Sequence, residues 1–399
     1  MEGEEEVEKE ISRNIKSYLA ETNTKDVQNL NIDRYSLKFE KLGGMCNQNY
    51  LVTVTEKKSE KIIFQLVYKK FGIMSKAGDH LLESYIIEYL SKEDIGPKLY
   101  LEKKNYRLME YIPETRHIDK DILFNERILN QLSLILNTYN HFTSTYKYHI
   151  NGNKIEIMPL KEDNYINNYI KYSEKRINVS KTYYDNIINI IYKKAKNSLY
   201  KFKNEFNQKI PLEGNENTYK IINKFKYYLD NFQNNLDKYY PKEGFLVMCH
   251  NDVNRYNFIQ KISDGKLYCL DHEYASLNLP GYDIADYFNE TNFHFEPNYY
   301  FSFEDINYEK YFGIYKNYIE KFIESHEFLN NTNEGKEFIE YISSKKYYLY
   351  LHQIINYFWF LCCIVYLDFE LWKSGKKNSF YIANDLIRFY EFGLQKLRE

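Results

Sequence analysis

Phe245-Leu-Val-Met-Cys-His250-Asn251-Asp252-Val-Asn254-Arg-Tyr-Asn257-Phe-Ile259 sets an apolar run, a polar cluster and a second apolar run in direct succession. The chain then passes through Asp264-Gly265, a strong hairpin signal, and returns along Leu267-Tyr-Cys-Leu270 to Asp271-His272-Glu273. With Asp264 and Gly265 as the central residues of a two-residue turn, Asn257 falls opposite His272 and one position from Asp271. Directly opposed residues in an antiparallel ladder lie about 5 Å apart. The amide oxygen of Asn257 and the carboxylate of Asp271 are thereby expected to share one small cation, with Asp252 upstream as a separate base. Hard oxygen donors suit Mg2+, whose remaining positions are filled by substrate phosphates. A base Asp, an Asn five residues later at a metal and a second Asp after a hairpin together match the division of labour in phosphoryl transfer. Glu273 is a further carboxylate for the metal. His250 reads as a structural hydrogen-bonding residue of the loop. Taken singly, each of these residues is an ordinary turn or strand cap; their common register favours chemistry.

Upstream, Tyr35 to Leu42 alternates as a half-buried strand, Gly43-Gly44 breaks it, and Tyr50 to Thr55 alternates again. A third strand runs from Ile62 to Tyr68, helical spacing resumes near Leu81 and continues to Leu90, and a strand pair surrounds Leu99 to Tyr111. Residues 2–22 have Ile11, Ile15 and Leu19 at helical spacing behind an acidic start. Pro113 opens a connection. From there to about Tyr240 the pattern reads as helical, with 151–236 as exposed helices and variable loops. A compact β region follows Gly244, and the rest to Glu399 is helical. These elements predict an α+β fold of two lobes, with a small β-rich N-terminal lobe (1–112) and a larger, mainly helical C-terminal lobe (113–399). In the small lobe, Gly43, Gly44 and Asn47 are placed to fold backbone over phosphates, because glycine permits close approach. Lys69 ends the third strand within reach of the phosphates, and Glu83 on the next helix is placed to pair with it. Individually these are a hairpin turn and solvated charges; their order raises them.

Composition bounds the rest. Across 399 residues, 54 Lys+Arg against 56 Asp+Glu give a formal charge of −2, which lacks the basic surplus of a typical nucleic-acid binder. Gly (15) and Pro (7) together reach about half their usual share, which argues against disorder and against a turn-rich all-β fold. Cys46, Cys249, Cys269, Cys362 and Cys363 form no CxxC pair, so no zinc site or disulfide framework is indicated and a reducing compartment fits. The N-terminus is acidic where a signal peptide would be basic and then apolar. Ile354 to Tyr366 is short and contains Asn356, so it reads as a buried helix and no membrane insertion is expected. A cytoplasmic protein is the expectation. The 43 tyrosines, with abundant Asn and Lys, are assigned to the codons of an AT-rich genome.

With these residues in place, the sequence resembles the choline/ethanolamine kinase family. The matching stretches are Gly43-Gly44-Met45-Cys46-Asn47, Gly96-Pro97-Lys98-Leu99-Tyr100 and Arg107-Leu108-Met109-Glu110-Tyr111-Ile112-Pro113. They continue with Cys249-His250-Asn251-Asp252 through Asn257, with Leu270-Asp271-His272-Glu273-Tyr274, and with Asn278 through Tyr282-Asp283-Ile284-Ala285-Asp286-Tyr287-Phe288-Asn289-Glu290. The resemblance implies a protein-kinase-like fold, ATP and Mg2+ as cofactors bound between the lobes, and phosphorylation of choline or ethanolamine as the first step toward phospholipid precursors. It implies catalytic roles for Asp252 and Asn257, metal binding by Asn257, Asp271 and Glu273, and ATP binding by Gly43, Gly44, Asn47, Lys69 and Glu83. It implies that Asn254, Tyr274, Glu290 and Trp359 bind the substrate. Asn356, Ile382 and Phe295 stand where the family has aromatic pocket residues, and Lys69 where it usually has Arg. These departures leave choline against ethanolamine open, as is the assembly, a homodimer being one option. An ethanolamine-preferring kinase, an aminoglycoside-type phosphotransferase and a degenerate kinase-fold binding module are the alternative readings.

Overall fold

The computed structural model describes residues 4–21, 34–42, 47–72, 80–142, 146–151, 154–159, 188–231, 243–290, 293–294, 300–301 and 308–396. The chain divides into two compact units, Met1–His117 with Phe258–Glu273, and Ile118–Asn257 with Tyr274–Glu399.

In chain order the first unit contains α1 (Glu4–Glu21), β1 (Tyr35–Leu42), β2 (Gln48–Glu56), β3 (Ile62–Lys70), α2 (His80–Lys92), β4 (Leu99–Glu102), β5 (Tyr106–Glu110) and β6 (Thr115–His117). Its main sheet is antiparallel in the order β1-β2-β3-β5-β4. The strands form because apolar residues recur every second position and meet one apolar face. Helix α1 supplies the cover. Val7, Ile11, Ile15 and Leu19 repeat every fourth residue and pack on Tyr50, Val52, Leu66, Tyr68 and Leu108 of the sheet. Asn14 Nδ2 donates to the buried Tyr68 hydroxyl at 2.9 Å, satisfying the polar end of that core residue.

The second unit opens with α3 (Glu126–Asn140), β7 (Tyr146–Asn151), β8 (Lys154–Pro159), α4 (Asn189–Lys209), α5 (Glu216–Asp230) and β9 (Glu243–Cys249). The chain returns to the first unit for β10 (Phe258–Lys261) and β11 (Leu267–Cys269), which join β6 in a small sheet ordered β11-β10-β6. The second unit then resumes with β12 (Ser276–Asn278), α6 (Tyr282–Glu290), β13 (Phe293–His294), β14 (Tyr300–Phe301), α7 (Tyr308–Ser325) and α8 (Asn333–Ile342). It closes with α9 (Lys345–Val365), α10 (Phe369–Lys373) and α11 (Asn378–Lys396).

The hairpin β7–β8 corrects the helical reading of residues 113–240. Tyr146, Tyr148 and Ile150 alternate with polar residues, as do Ile155 and Ile157, and the antiparallel ladder runs from Tyr146↔Pro159 to Asn151↔Lys154. The period-two signal is short and lies inside a long charged stretch. Tertiary pairing with β9, in the order β12-β9-β7-β8, decides it. Strand β9 is accordingly buried along Phe245–Cys249 and reads as an unbroken apolar run.

Helix α9 is long and apolar enough to span a membrane by length and composition, yet most of that stretch is buried within the second unit. It packs on α4, α6 and α11. Gly281, at φ +80°, leads into α6, and a Cβ there would lie 2.7 Å from the Tyr315 ring. The turn that launches α6 therefore needs glycine.

Candidate active site

In the first unit, cross-strand register places Lys69 of β3 directly opposite Arg107 of β5. Both cations converge on Glu83 of α2. Lys69 Nζ lies 3.1 Å from Glu83 Oε1, and Arg107 Nη1 lies 2.7 Å from the same oxygen. Lys69 also reaches Asp271 Oδ1 at 2.8 Å, while Arg107 pairs through Nε with Glu102 Oε2 at 3.0 Å. The guanidinium carbon sits 4.9 Å from the centre of the Phe71 ring. Lys69, Glu83 and Arg107 are all buried, and charges so placed are tolerated only when paired. Burial alone would raise the Glu83 carboxyl, but Lys69 and Arg107 hold it well below the usual range. Burial alone would lower the Lys69 ammonium; Glu83 and Asp271 outweigh it and keep the group charged.

Asn47 joins this cluster. Its Nδ2 donates to Glu273 Oε2 at 3.1 Å, and its Oδ1 accepts from the Gly72 backbone N–H at 3.1 Å. Burial and the neighbouring Asp271 charge push the Glu273 carboxyl up to about 7. Four carboxylates (Glu83, Glu102, Asp271, Glu273) therefore gather around two cations. That surplus of hard anionic oxygen at Asp271 and Glu273 is a donor set that fits a small divalent cation. Asp271 is held at φ +58°, a conformation that non-glycine residues seldom adopt and that marks it as constrained by its surroundings.

The hairpin carrying Asp271 differs in register from the two-residue turn. That turn would pair Phe258 with Asp271, whereas the structure pairs Phe258 with Cys269 and Gln260 with Leu267. The loop is wider. The Gly265 N–H donates to the Lys261 carbonyl, and Asp264 Oδ1 accepts from the Lys266 N–H, so Asp264 and Gly265 form the second half of the bend, not its centre. Asp271 consequently lies beyond the end of the ladder.

In the second unit, the loop after β9 is held from beneath by α6. Asp283 accepts the His250 N–H at 2.8 Å on one oxygen and the Asn251 N–H at 2.9 Å on the other. Asp286 Oδ2 accepts the Val253 N–H at 3.2 Å, and its Oδ1 accepts from Trp359 Nε1 of α9 at 3.2 Å. Burial pushes both carboxyls up, with the Asp252 charge adding to the rise at Asp286. Asn251, at φ +65°, ties the loop to β12. Its Nδ2 donates to the carbonyls of Cys249 and Tyr274, and its Oδ1 accepts from Asn278 Nδ2 at 2.7 Å. On this scaffold the Asp252 carboxylate is aimed by two amides. Asn254 Nδ2 donates to Oδ1 at 3.0 Å, and Asn257 Nδ2 donates to Oδ2 at 2.8 Å and to the Asp252 carbonyl at 2.8 Å. With its nitrogen spent on Asp252, Asn257 keeps Oδ1 for another partner. Asn254 Oδ1 accepts from the Tyr256 and Asn257 N–H groups, so this side chain is engaged within the loop.

The structure thus gathers Asn47, Lys69, Glu83, Asp271 and Glu273 in the first unit, and Asp252, Asn254, Asn257 and, through Asp286, Trp359 in the second. Tyr274 is partly exposed beside the loop, its carbonyl held by Asn251. Gly43, Gly44 and Phe295 lie outside the described residues. Glu290 ends α6, and its side chain also lies outside them. Arg107, Asn251, Asp283 and Asp286 stand in the stretches that carry the resemblance, but the sequence reading gives them no site role. The two aspartates carried a signal, since charges three apart in an otherwise apolar helix call for buried partners. Replacing Arg107 by methionine leaves Glu83 and Glu102 facing one cation fewer. Breaking a buried pair costs about 3–5 kcal/mol, so the denaturant midpoint is expected to fall by that amount of stability; an unchanged midpoint would show the network to be dispensable.

The family model for choline/ethanolamine kinase matches residues 39–385. The chain belongs to the choline/ethanolamine kinase family. Over 104 residues it is 29% identical to the probable ethanolamine kinase B of Dictyostelium discoideum, covering 26% of this chain and 21% of that one. Over 45 residues it is 44% identical to the probable ethanolamine kinase of Arabidopsis thaliana, covering 11% and 12%. The aligned stretches thus span about a fifth and an eighth of those curated relatives. A solved structure of choline kinase from Cryptosporidium parvum Iowa II superposes with a TM-score of 0.57 over 98% of this chain and 96% of that one, at 17% identity. That likeness concerns the fold. The family member has the α+β, two-lobed protein-kinase-like fold.

Proposed function

We propose that the chain transfers a phosphoryl group from ATP to the hydroxyl of a small amino alcohol, choline or ethanolamine, with Mg2+ as the metal. The observation that carries this reading is the loop His250–Asn257, in which one carboxylate is aimed by two side-chain amides while two buried aspartates hold the backbone. Asp252 accepts the proton of the substrate hydroxyl, a task that needs an ionised, oriented carboxylate. Asp271 and Glu273 are assigned to the metal, as is Asn257 through its Oδ1. Lys69, fixed by Glu83, supplies a positive point charge for phosphate, and Asn47 with Gly43 and Gly44 lines the nucleotide. Trp359, with its indole N–H on Asp286, Tyr274, Asn254 and Glu290 receive the amine end. When bound, Mg2+-ATP supplies the transferable phosphoryl group and neutralises its charge.

A substrate panel tests the proposal. Purified chain with Mg2+-ATP is expected to release ADP with ethanolamine or choline and not with an aminoglycoside. Turnover confined to aminoglycosides would replace the reading with its phosphotransferase relative. Nucleotide binding without turnover of any acceptor would favour a binding module.

A further inference from the structure

Strand pairing sets Arg107 of β5 opposite Lys69 of β3 on one side and opposite Glu102 of β4 on the other. Opposed residues of an antiparallel ladder point to the same face of the sheet about 5 Å apart, and like charges so placed repel. The repulsion between Lys69 and Arg107 is offset because Glu83 of α2 reaches both. Arg107 is 0% exposed and is held from three directions. Its Nη1 lies 2.7 Å from Glu83 Oε1 and its Nε lies 3.0 Å from Glu102 Oε2. Its guanidinium lies over the Phe71 ring, which in turn stacks on His80 of α2 at 4.0 Å.

Lys69 is held differently. Its second partner, the Asp271 side chain, is 36% exposed, so the ammonium stands between a closed interior and a solvated carboxylate. Arg107 is the closer cation to the shared Glu83 oxygen, at 2.7 Å against 3.1 Å for Lys69. Burial and the neighbouring guanidinium both disfavour the Lys69 charge, and Glu83 with Asp271 retains it. A buried carboxylate loses its cation only at a large penalty. If Glu83 depended on Lys69 alone, an anionic ligand could recruit Lys69 only by stranding that carboxylate. With Arg107 fixed beside it, Glu83 keeps a partner when Lys69 turns away.

We infer that Arg107 is a positioning residue for Lys69: it supplies Glu83 with a permanent cation, which leaves the Lys69 ammonium available to a polyphosphate. The role suits a planar guanidinium, whose several N–H groups can engage Glu83 and Glu102 together and which stays charged when buried. Lys69, a single charged point on a flexible stem, is the cation able to move. The inference rests on the proposed function only in taking ATP as the polyphosphate.

Two measurements on the full chain test it, equilibrium unfolding in denaturant and a calorimetric Kd for Mg2+-ATP with no acceptor present. Lys69→Met alone is expected to weaken ATP binding by about tenfold or more and to change the unfolding constant by less than about tenfold, since Glu83 keeps Arg107. In the Arg107→Met background, the same change is expected to raise the unfolding constant by about a hundredfold or more, because Glu83 then has neither cation. It is expected to add little there to the loss of ATP binding, because Glu83 already withholds Lys69. Arg107→Met alone is expected to weaken ATP binding by about tenfold or more, with kcat at saturating ATP and KM for the amine within about threefold. A fold defect alone would not produce that split. Arg107→Lys, which restores a cation, is expected to recover ATP binding to within about threefold of the wild type. Arg107→Gln, polar but uncharged, covers the case in which the methionine variant fails to fold and is held to the same outcomes. ATP binding within about threefold of the wild type in the methionine or glutamine variant, or a Lys69→Met stability loss that is equal in both backgrounds, overturns the inference. ATP binding with the expected pattern but no phosphorylation of either amine would sink the kinase reading and leave the inference standing.

Discussion

Asp252→Asn is expected to lower kcat for amino-alcohol phosphorylation by about 10²–10⁴-fold, the usual contribution of a positioned general base. The substitution keeps the shape of the side chain and removes its charge. Its environment makes the change more severe than a loss of basicity. Both carboxylate oxygens accept from amides, Oδ1 from Asn254 and Oδ2 from Asn257. An amide introduced at 252 must turn its own nitrogen toward one of those donors, so one contact becomes donor against donor. The backbone of the loop should stay in place, because Asp283 and Asp286 hold it through the N–H groups of His250, Asn251 and Val253. The expected signature is a collapsed kcat with KM for ATP and the thermal midpoint nearly unchanged. A kcat within threefold of the wild type would remove Asp252 from the chemistry.

Asp271→Ala is expected to have a comparably large effect by a different route. The carboxylate is one of the oxygens proposed to hold the metal, and it is also the partner of Lys69 at 2.8 Å. Removing it takes away a metal donor and leaves Lys69 with Glu83 alone, a carboxylate already shared with Arg107. Loss of one electrostatic contact of this kind costs about 10²–10³-fold in turnover, and here two are lost together. Titrating Mg2+ into the variant should show weakened metal-dependent nucleotide binding that excess Mg2+ does not restore to wild-type turnover. Retained turnover with Mg2+-ATP would count heavily against the assignment. Because α1, β2, β3 and β5 carry the core of the first unit without Asp271, the fold should survive the change.

How far these residues could be read without coordinates depends on the range of the interactions that place them. Lys69 and Glu83 were legible because a strand end and the following helix lie close in sequence, and their ion pair sits fourteen residues apart. Asp252 and Asn257 were each legible within one loop, but the hydrogen bond between them, five residues apart, came only from the structure. The hairpin after it was recognised, but its register was not. Asp264-Gly265 announces a bend, whereas the number of residues in the loop depends on which backbone groups pair. The side chain of Asp264 capping the Lys266 N–H widened the loop. Hairpin β7–β8 was hidden because its alternation is weak and its stabilising partner, β9, lies far along the chain.

Local pattern was enough to determine the elements of the small unit, the polar loop after β9 and the residues proposed for catalysis, because helix and strand periodicity and turn chemistry act over a few residues. Tertiary structure alone decided that Arg107 stands beside Lys69 on Glu83 and that two aspartates of α6 hold the Asp252 loop. Each of those depends on strands or helices distant in sequence closing a dry interior, where a charge or an amide must find a partner and the chain's own order does not say which.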